Sequence, residues 1–165
     1  MPNPDRIGEF SKFYYRIADT DLTQPDPAIL ALGDYVQLCL QSFDVEQSFE
    51  EHTFNDQCSA DVETVAPGRK TVSLSFELYQ LRHQLADIRP FYDAVDSRTL
   101  ICMLALTSEI DDPETFGFVG NMIYTNSGVN SPQSGPINES YTLRPAARSQ
   151  SQPPYRRIYG AGVPV

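Results

Sequence analysis

The sequence predicts a mainly β protein in which two packed antiparallel sheets form a β-sandwich or barrel, with a flanking α-helix and extended arms at both ends. Apolar and polar residues alternate along several segments, which is typical of half-buried strands. Only one segment repeats apolar residues at helical spacing. Eight of the 13 prolines lie in residues 1–33 and 144–165. We therefore expect an N-terminal arm over 1–33, one domain over 34–146 with a helix near 79–95, and a C-terminal arm over 147–165.

The N-terminal arm combines prolines with large apolar side chains. Phe10, Phe13 and Tyr14 give it apolar weight, and Pro25-Asp26-Pro27 ends it. A proline-rich end does not pack a compact core by itself, so contact with another subunit is expected to order it. The arm is therefore a candidate inter-subunit contact.

The first strand of the domain changes phase. Leu38 and Leu40 place apolar residues at even positions, whereas Phe43 and Val45 place them at odd positions. A slip of one residue moves every side chain to the opposite face, so we expect a bulge near residues 41–43. At that bulge the strand is expected to leave one sheet and join another.

A long loop and a hairpin are expected next. Residues 51–61 show no period, which predicts an irregular excursion. Val62–Val65 is expected to pair with the strand that begins at Thr71, through a type II turn at Pro67-Gly68. Proline presets φ at the second turn position, and glycine accepts a positive φ at the third.

The single helix is predicted from apolar residues at helical spacing, which are Leu78, Leu81, Leu85 and Ile88. Pro90 lacks an amide hydrogen and clashes with the preceding turn, so we expect the helix to kink or restart there and to end near residue 95.

Three strands are expected after the helix. Residues 100–106 are uniformly apolar over a length too short for a lone helix, which favours a buried strand. A turn at Asp111-Asp112-Pro113 leads to a strand over Phe116–Thr125. Residues 126–136 are expected to form a flexible tip before the last strand, Ile137–Ala146.

Residues that could carry chemistry are sparse. His52 and His83 are the only imidazoles, and both are expected to be ordinary surface residues, which leaves no base for a catalytic triad. The spacing of His52, Asp56 and Cys58 matches no zinc pattern. We therefore expect no catalytic, cofactor-binding or metal site, no cofactor and no small-molecule substrate, and we expect that the protein is not an enzyme.

The three cysteines are expected to be reduced and structural. Cys39, Cys58 and Cys102 are odd in number and lack CxxC spacing. Cys39 and Cys102 fall within apolar strand patterns, where a thiol acts as a small hydrophobe.

Charge is distributed unevenly along the chain. The formal net charge of −10 argues against a nucleic-acid-binding protein of the usual basic kind. Residues 140–165 carry four arginines and no acid, whereas residues 1–139 carry all 22 acidic residues. A basic arm on an acidic body could dock on a neighbouring subunit, and a solvated tail is the alternative. No charged segment followed by an apolar run opens the chain, and no apolar run approaches the ~20 residues that span a bilayer, so we expect no membrane contact and synthesis in a cytoplasm.

Five stretches of the sequence carry a resemblance to a known family. VETVAPGRKTVSLSFEL, YQLRHQLADIRPFYDAV and the three later strand-like runs together resemble the tail tube proteins, or major tail proteins, of long-tailed bacteriophages. The resemblance implies a structural virion protein in the phage tail, made in the host cytoplasm. It also implies two packed sheets flanked by a helix, and hexameric rings that stack into a tube through which DNA passes during ejection.

The resemblance also implies partners and candidate positions. The partners are further copies of the chain and neighbouring tail proteins such as the tape measure, terminator and distal tail proteins, and DNA passes without specific binding. A long loop at His52–Ala60 would reach the neighbouring ring. The acidic candidates for the lumen are Asp44, Glu46, Asp61 and Glu63, and the inter-subunit candidates are Phe10, Phe13, Tyr14, His52, Phe54, Arg144, Arg148, Arg156 and Arg157.

Two alternatives stay open at the level of sequence. One is a small β-barrel that binds a ligand or serves as an enzyme subunit. The other is a related tube or joining-ring protein of a phage tail or of a contractile secretion apparatus.

Overall fold

The computed structural model describes residues 12–54, 64–79, 85–130, 134, 137–146 and 155–164. Within these residues the chain forms eight strands and two helices. The elements are β1 (Lys12–Arg16), α1 (Asp26–Leu30), β2 (Val36–Leu38), β3 (Leu40–Phe54), β4 (Thr64–Tyr79), α2 (Leu85–Asp96), β5 (Ile101–Leu106), β6 (Phe116–Asn130), β7 (Asn138–Pro145) and β8 (Tyr155–Tyr159). The predicted mainly β class is confirmed.

All eight strands belong to one antiparallel sheet rather than to two separate ones. The order is β2-β1-β5-β6-β7-β4-β3, and β8 pairs with β6 beside the end of β7. The sheet curls until its two ends face each other. The Phe13 ring in β1 lies 5.2 Å from the Phe43 ring in β3 and 5.3 Å from the Phe76 ring in β4. Sandwich-like packing therefore arises within a single curled sheet.

The chain crosses between the two ends of the sheet at a single residue. β2 and β3 lie at opposite ends of the strand order, and only Cys39 separates them. The pairing of β3 with β4 shifts register between Leu40 and Ser42, so the predicted bulge is confirmed. Cys39 is exposed at the crossing instead of buried in a strand.

The core has two compartments on opposite faces of β5. Ile101, Met103 and Ala105 lie in the first core cluster, with α2 and the inner faces of β1, β4 and β7. Cys102 and Leu104 lie in the second cluster, on the other face. Every side chain of β5 is buried, so the prediction of a buried strand at residues 100–106 is confirmed in substance.

The terminal segments in the structure are part of this core, not extended arms. β1 lies between β2 and β5, and Phe13 and Tyr14 are only 5 % and 6 % exposed. α1 and β8 cover the second core cluster, where Ile29 and Ile158 are fully buried. Of the N-terminal prolines that suggested an arm and that the structure describes, Pro25 caps α1 and Pro27 lies within it.

A single helix, α2, closes the first core cluster. It begins at Leu85 within the described residues and keeps Pro90 inside it, so of the predicted kink or restart at Pro90 the restart does not occur. Leu78 lies in β4, not in the helix. Phe91 is fully buried and its ring contacts the rings of Tyr15, Phe76 and Tyr141 at 5.3–5.8 Å; the contacts are within the usual range for aromatic pairs. This burial offsets the roughly 3 kcal/mol that an interior proline costs a helix.

The predicted turn at Pro67-Gly68 is wrong, because these residues lie inside β4. Pro67 pairs with Glu51, and the register shifts between Phe49 and Glu51. An irregular pairing tolerates a proline that has no amide hydrogen to donate. A Cβ at Gly68 would stand 2.3 Å from the carbonyl oxygen of Glu50, so glycine is required by close approach of the opposite strand.

Two predicted loops are also shorter than expected. Residues 51–54, assigned to an irregular excursion, continue β3, and the connection between β3 and β4 lies outside the described residues. Residues 126–130, assigned to a flexible tip, continue β6 and pair with β7. In both places cross-strand pairing extends the strand through a polar sequence whose period is weak.

Replacing Gly68 by Ala should lower the free energy of unfolding by roughly 1–3 kcal/mol, because the new methyl group would push the backbone of Glu50 away. Gly33→Ala is the matched control, since a Cβ there meets no atom within 4 Å. Urea unfolding followed by circular dichroism measures both variants. Equal midpoints would show that Gly68 is not tightly opposed.

Candidate functional site

The most extensive polar feature of the described chain is one face of the strands β3, β4, β7 and β6. Phe43, Leu74 and Leu143 point from these strands into the first core cluster or pack against it. Side chains alternate between faces along a strand, so the residues between them point away from the core. We call this surface the outer face; its residues include Asp44, Glu46, Ser73, Ser75, Glu77, Ser140, Thr142 and Arg144.

Short hydroxyl side chains occupy the middle of the outer face. Asp44, Ser75 and Thr142 lie side by side in one cross-strand row. The hydroxyls of Ser75 and Thr142 are 3.4 Å apart, and Thr125 donates to the carbonyl oxygen of Thr142 at 3.0 Å. These groups hydrogen-bond across neighbouring strands, so the middle of the outer face is a polar wall.

The described outer face carries an excess of negative charge. Asp44 and Glu46 are exposed on β3, Glu77 is partly exposed on β4, and Arg144 is the exposed base on β7. Thus the structure places two of the four acidic lumen candidates on one wall. The other two, Asp61 and Glu63, lie outside the described residues.

Beyond this wall, β3 and β4 continue as a two-stranded projection. β4 pairs with β7 only from Leu74 onward, whereas its pairing with β3 reaches back to Thr64. Ten residues of strand correspond to roughly 33 Å. Phe49 on this projection is 65 % exposed. The backbones of the candidates His52 and Phe54 lie farther along it, paired with Ala66 and Thr64.

The C-terminal strand is fastened to the N-terminal part of the chain by one arginine. The guanidinium of Arg156 forms an ion pair with Asp26 and donates to the carbonyl oxygens of Leu22, at 2.8 Å, and Gln24, at 2.9 Å. The backbone amide of Tyr159 donates to the second oxygen of Asp26 at 3.0 Å. We call this group the Arg156 clasp. It joins β8 to the start of α1.

A second cluster of contacts lies where β8 approaches β3. The rings of Tyr155 and Phe118 stack at 5.2 Å, and the guanidinium carbon of Arg157 lies 5.5 Å from the centroid of the Phe118 ring. Gln47 of β3 donates to the hydroxyl of Tyr155 at 3.3 Å. Burial raises the pKa of Tyr155 to about 12, so the phenol is neutral at physiological pH.

The inter-subunit candidates are thus placed in different surroundings. Phe13 and Tyr14 are buried within this chain and cannot contact a neighbour directly. The hydroxyl of Tyr14 donates to Glu109 at 2.7 Å, and burial together with this carboxylate raises the pKa of Tyr14 to about 12. Arg156 binds a carboxylate of its own chain, while Arg144 and Arg157 are exposed. Phe10 and Arg148 lie outside the described residues.

Sequence reasoning missed a buried carboxylate in the first core compartment. Glu139 of β7 is 5 % exposed and accepts hydrogen bonds from the hydroxyls of Tyr92, at 2.5 Å, and Tyr141, at 3.1 Å. Burial and then the charge of Glu139 raise the pKa of Tyr141. The parity of β7 contained the signal, since Glu139 shares a face with Tyr141 and Leu143. The contact joins α2 to the sheet.

No grouping suited to metal binding occurs in the part of the chain that the structure describes. There, no three residues of the types His, Cys, Asp and Glu are grouped closely enough to hold a metal ion. His83, Asp56 and Cys58 lie outside that part. No helix among the described residues is long and apolar enough to cross a membrane.

Comparison with solved structures identifies the architecture. The chain is similar to the tail tube of SPP1 with a TM-score of 0.59 and 15% identity, over 81% of this chain and 71% of that one. It is similar to a chain of the six-fold symmetrised anti-feeding prophage baseplate with a TM-score of 0.58 and 10% identity, over 92% and 93%. It is also similar to a chain in the tail of an empty GTA particle, refined with C6 symmetry. The TM-score is 0.50 and the identity 13%, over 85% of this chain and 93% of that one.

Sequence comparison alone gives no such result. No protein-family model matches the chain, and no curated protein matches it. The relation is therefore one of fold, and the fold is that of structural proteins from tails and a baseplate.

Replacing Arg156 by Lys should lower the free energy of unfolding by roughly 1–3 kcal/mol, because an ammonium group cannot bond Asp26 and two carbonyl groups in the same geometry. Arg157→Lys is the matched control: it makes the same substitution at an exposed position and should lower the free energy of unfolding by roughly 0.5 kcal/mol or less. Thermal and urea unfolding of dilute protein compare the two variants. Equal losses would contradict a structural role of the Arg156 clasp.

Proposed function

We propose that this protein is a structural subunit of a phage tail tube, and that six copies form a ring which stacks with further rings. The observation that carries the proposal is a polar sheet face bounded by two unpaired strand edges, on a fold shared with tail proteins. Two of the similar structures have six-fold symmetry. No catalytic site is part of the proposal.

The two unpaired edges make ring closure possible. β3 pairs only with β4 among the described strands, so its other edge is open. β6 pairs with β5 no farther than Met122, so the described stretch 123–130 is open on that side. β3 and β6 run antiparallel to each other within one copy. Copies of equal polarity around a ring can therefore pair β3 with the next β6 and keep the sheet antiparallel.

Such a ring would enclose a wide channel. Four strands from each of six copies make 24, and barrels of 16–18 strands already leave an aqueous channel. The core, α1, α2 and β8 lie on the other side of the four strands, which leaves the outer face to line the lumen. Closing the ring also removes the exposed edge of β3, which is a site for uncontrolled association in a monomer.

The chemistry of the outer face suits passage of DNA. Asp44, Glu46 and Glu77 repel phosphate. The hydroxyls of Ser75, Ser140 and Thr142 already contact groups of neighbouring strands. A wall that releases no counterions on contact holds DNA weakly, so a genome can slide. Within the proposal, DNA passes during ejection without being bound.

The β3–β4 projection is the proposed contact between stacked rings. It extends past the sheet and presents Phe49 together with the strand that contains His52 and Phe54. Capping tail proteins, such as the tape measure, terminator and distal tail proteins, would meet the same projection at the ends of the tube.

A related tube is the second candidate. The anti-feeding prophage baseplate chain matches over 93% of its length, more than the SPP1 tube chain does. In a contractile apparatus the ring would be built in the same way, but its lumen would serve another cargo.

Electron microscopy of the purified full-length chain tests the proposal directly. We expect rings with six-fold symmetry, or tubes, after concentration. Compact monomers at every concentration would overturn it and would favour the alternative of a small ligand-binding β-barrel protein.

The lumen assignment has its own test. Asp44→Lys with Glu46→Lys should leave ring formation intact but make tubes retain short duplex DNA in a nuclease-protected form, with binding that weakens as salt rises. Asp111→Lys with Glu114→Lys makes the same charge change in an exposed loop away from the outer face. Equal protection by both variants, or none by either, would contradict the lumen assignment.

A further inference from the structure

The connection before β8 begins and ends at neighbouring positions of β6. The amide of Ala146 donates to the carbonyl oxygen of Asn121 at 2.8 Å, and Tyr155 pairs opposite Gly120. These two positions of β6 are one strand step, roughly 3.3 Å, apart. The eight residues between Ala146 and Tyr155 could span about 30 Å when extended. The chain is therefore far longer here than a path within one copy requires.

The site that β8 occupies is formed entirely by other segments of the chain, chiefly β6 and the residues just before it. β8 pairs with Phe116–Gly120, and Ile158 is fully buried in the second core cluster. After β8, the amides of Gly160 and Gly162 donate to the carbonyl oxygens of Thr115, at 2.6 Å, and Pro113, at 2.7 Å. The Arg156 clasp fixes the register. No described strand other than β6 pairs with β8.

We propose that β8 is exchanged between copies: in the assembly, residues 155–164 of one subunit occupy the site formed by β6 and α1 of the next. This inference rests on the self-assembly proposed above. Every copy carries the same site, so Arg156 would bind Asp26 of the neighbouring copy with the contacts seen here within one chain.

Exchange would connect neighbouring copies through the chain that leads to β8, while β8 kept the same contacts in its site. Swapping an identical element conserves its hydrogen bonds and buried side chains, so it costs little. In a ring the neighbour's site is held near at an effective concentration in the millimolar range, which makes exchange competitive with closure inside one chain. A fully buried isoleucine and a clasped arginine would then hold adjacent copies together. This would give Arg156 the inter-subunit role that its sequence suggested.

Mixed single-cysteine variants test the exchange. Residues 118 and 157 lie directly opposite each other, at a spacing that a disulfide can bridge. One population carries Phe118→Cys, the other carries Arg157→Cys, and Cys39, Cys58 and Cys102 are replaced by Ser in both. After mixing, assembly and oxidation, denaturing non-reducing gels should show a mixed covalent dimer, with about one junction in four able to link.

Two controls set the background and guard against a damaged variant. Arg157→Cys mixed with Ser140→Cys, which lies on the outer face, measures random oxidation. Phe116→Cys mixed with Tyr159→Cys repeats the test at a second opposed pair. A chain carrying both Phe118→Cys and Arg157→Cys confirms that the disulfide forms.

The outcomes separate this inference from the tube itself. Mixed dimers above background at either opposed pair, only in assembled protein, support exchange. Rings or tubes with no mixed dimer, while the double variant closes within single chains, overturn exchange and leave the tube proposal standing. Monomers that close only within single chains overturn both.

Discussion

The burial of β5 on both faces is the constraint on which the rest of the structure depends. Its six side chains are all buried, and fully burying a large apolar side chain stabilises a fold by about 1.5–3 kcal/mol. A strand of this kind needs a packed layer on each side. On one side the sheet curls over it and α2 closes the gap through Phe91. On the other side α1 and β8 cover it, and the Arg156 clasp fastens these two elements to each other.

This division of the molecule separates the groups that stabilise the fold from the proposed lumen face. The apolar side chains, the buried Glu139 and the Arg156 clasp lie on the core side of the four strands β3, β4, β7 and β6. The outer face contributes little to the core, so its composition is free to be polar and acidic. Long open strand edges are normally a liability, and proteins usually shorten or cover them. Open edges on β3 and β6, antiparallel to one another, become consistent with the rest of the fold once copies are arranged in a ring.

The sequence anticipated those features that depend on local pattern. Alternation in β3, where Phe43 and Val45 are apolar, identified its inner and outer faces and placed Asp44 and Glu46 on the outer one. The change of phase between Leu40 and Phe43 indicated the bulge that follows the crossing at Cys39. The uniform apolar run before Thr107 indicated a strand with no polar face. In each case the period of the side chains reports directly on which faces are buried.

What the sequence by itself determined is therefore the antiparallel β architecture and the polar character of one sheet face. Tertiary structure alone decided what becomes of residues whose partners lie far along the chain. The sequence at Gly68 is typical of a turn, but Gly68 lies inside β4, where the backbone of Glu50 in the opposite strand approaches it closely. The sequences around Phe13 and Arg156 are typical of extended arms. In the structure, Phe13 pairs with β5 and Arg156 forms an ion pair with Asp26, so both residues lie within the fold. Local sequence preference does not predict such positions. The burial of Phe13 and the ion pair of Arg156 join residues that are 90 to 130 positions apart, and their free energies exceed the weak structural propensity of a few residues.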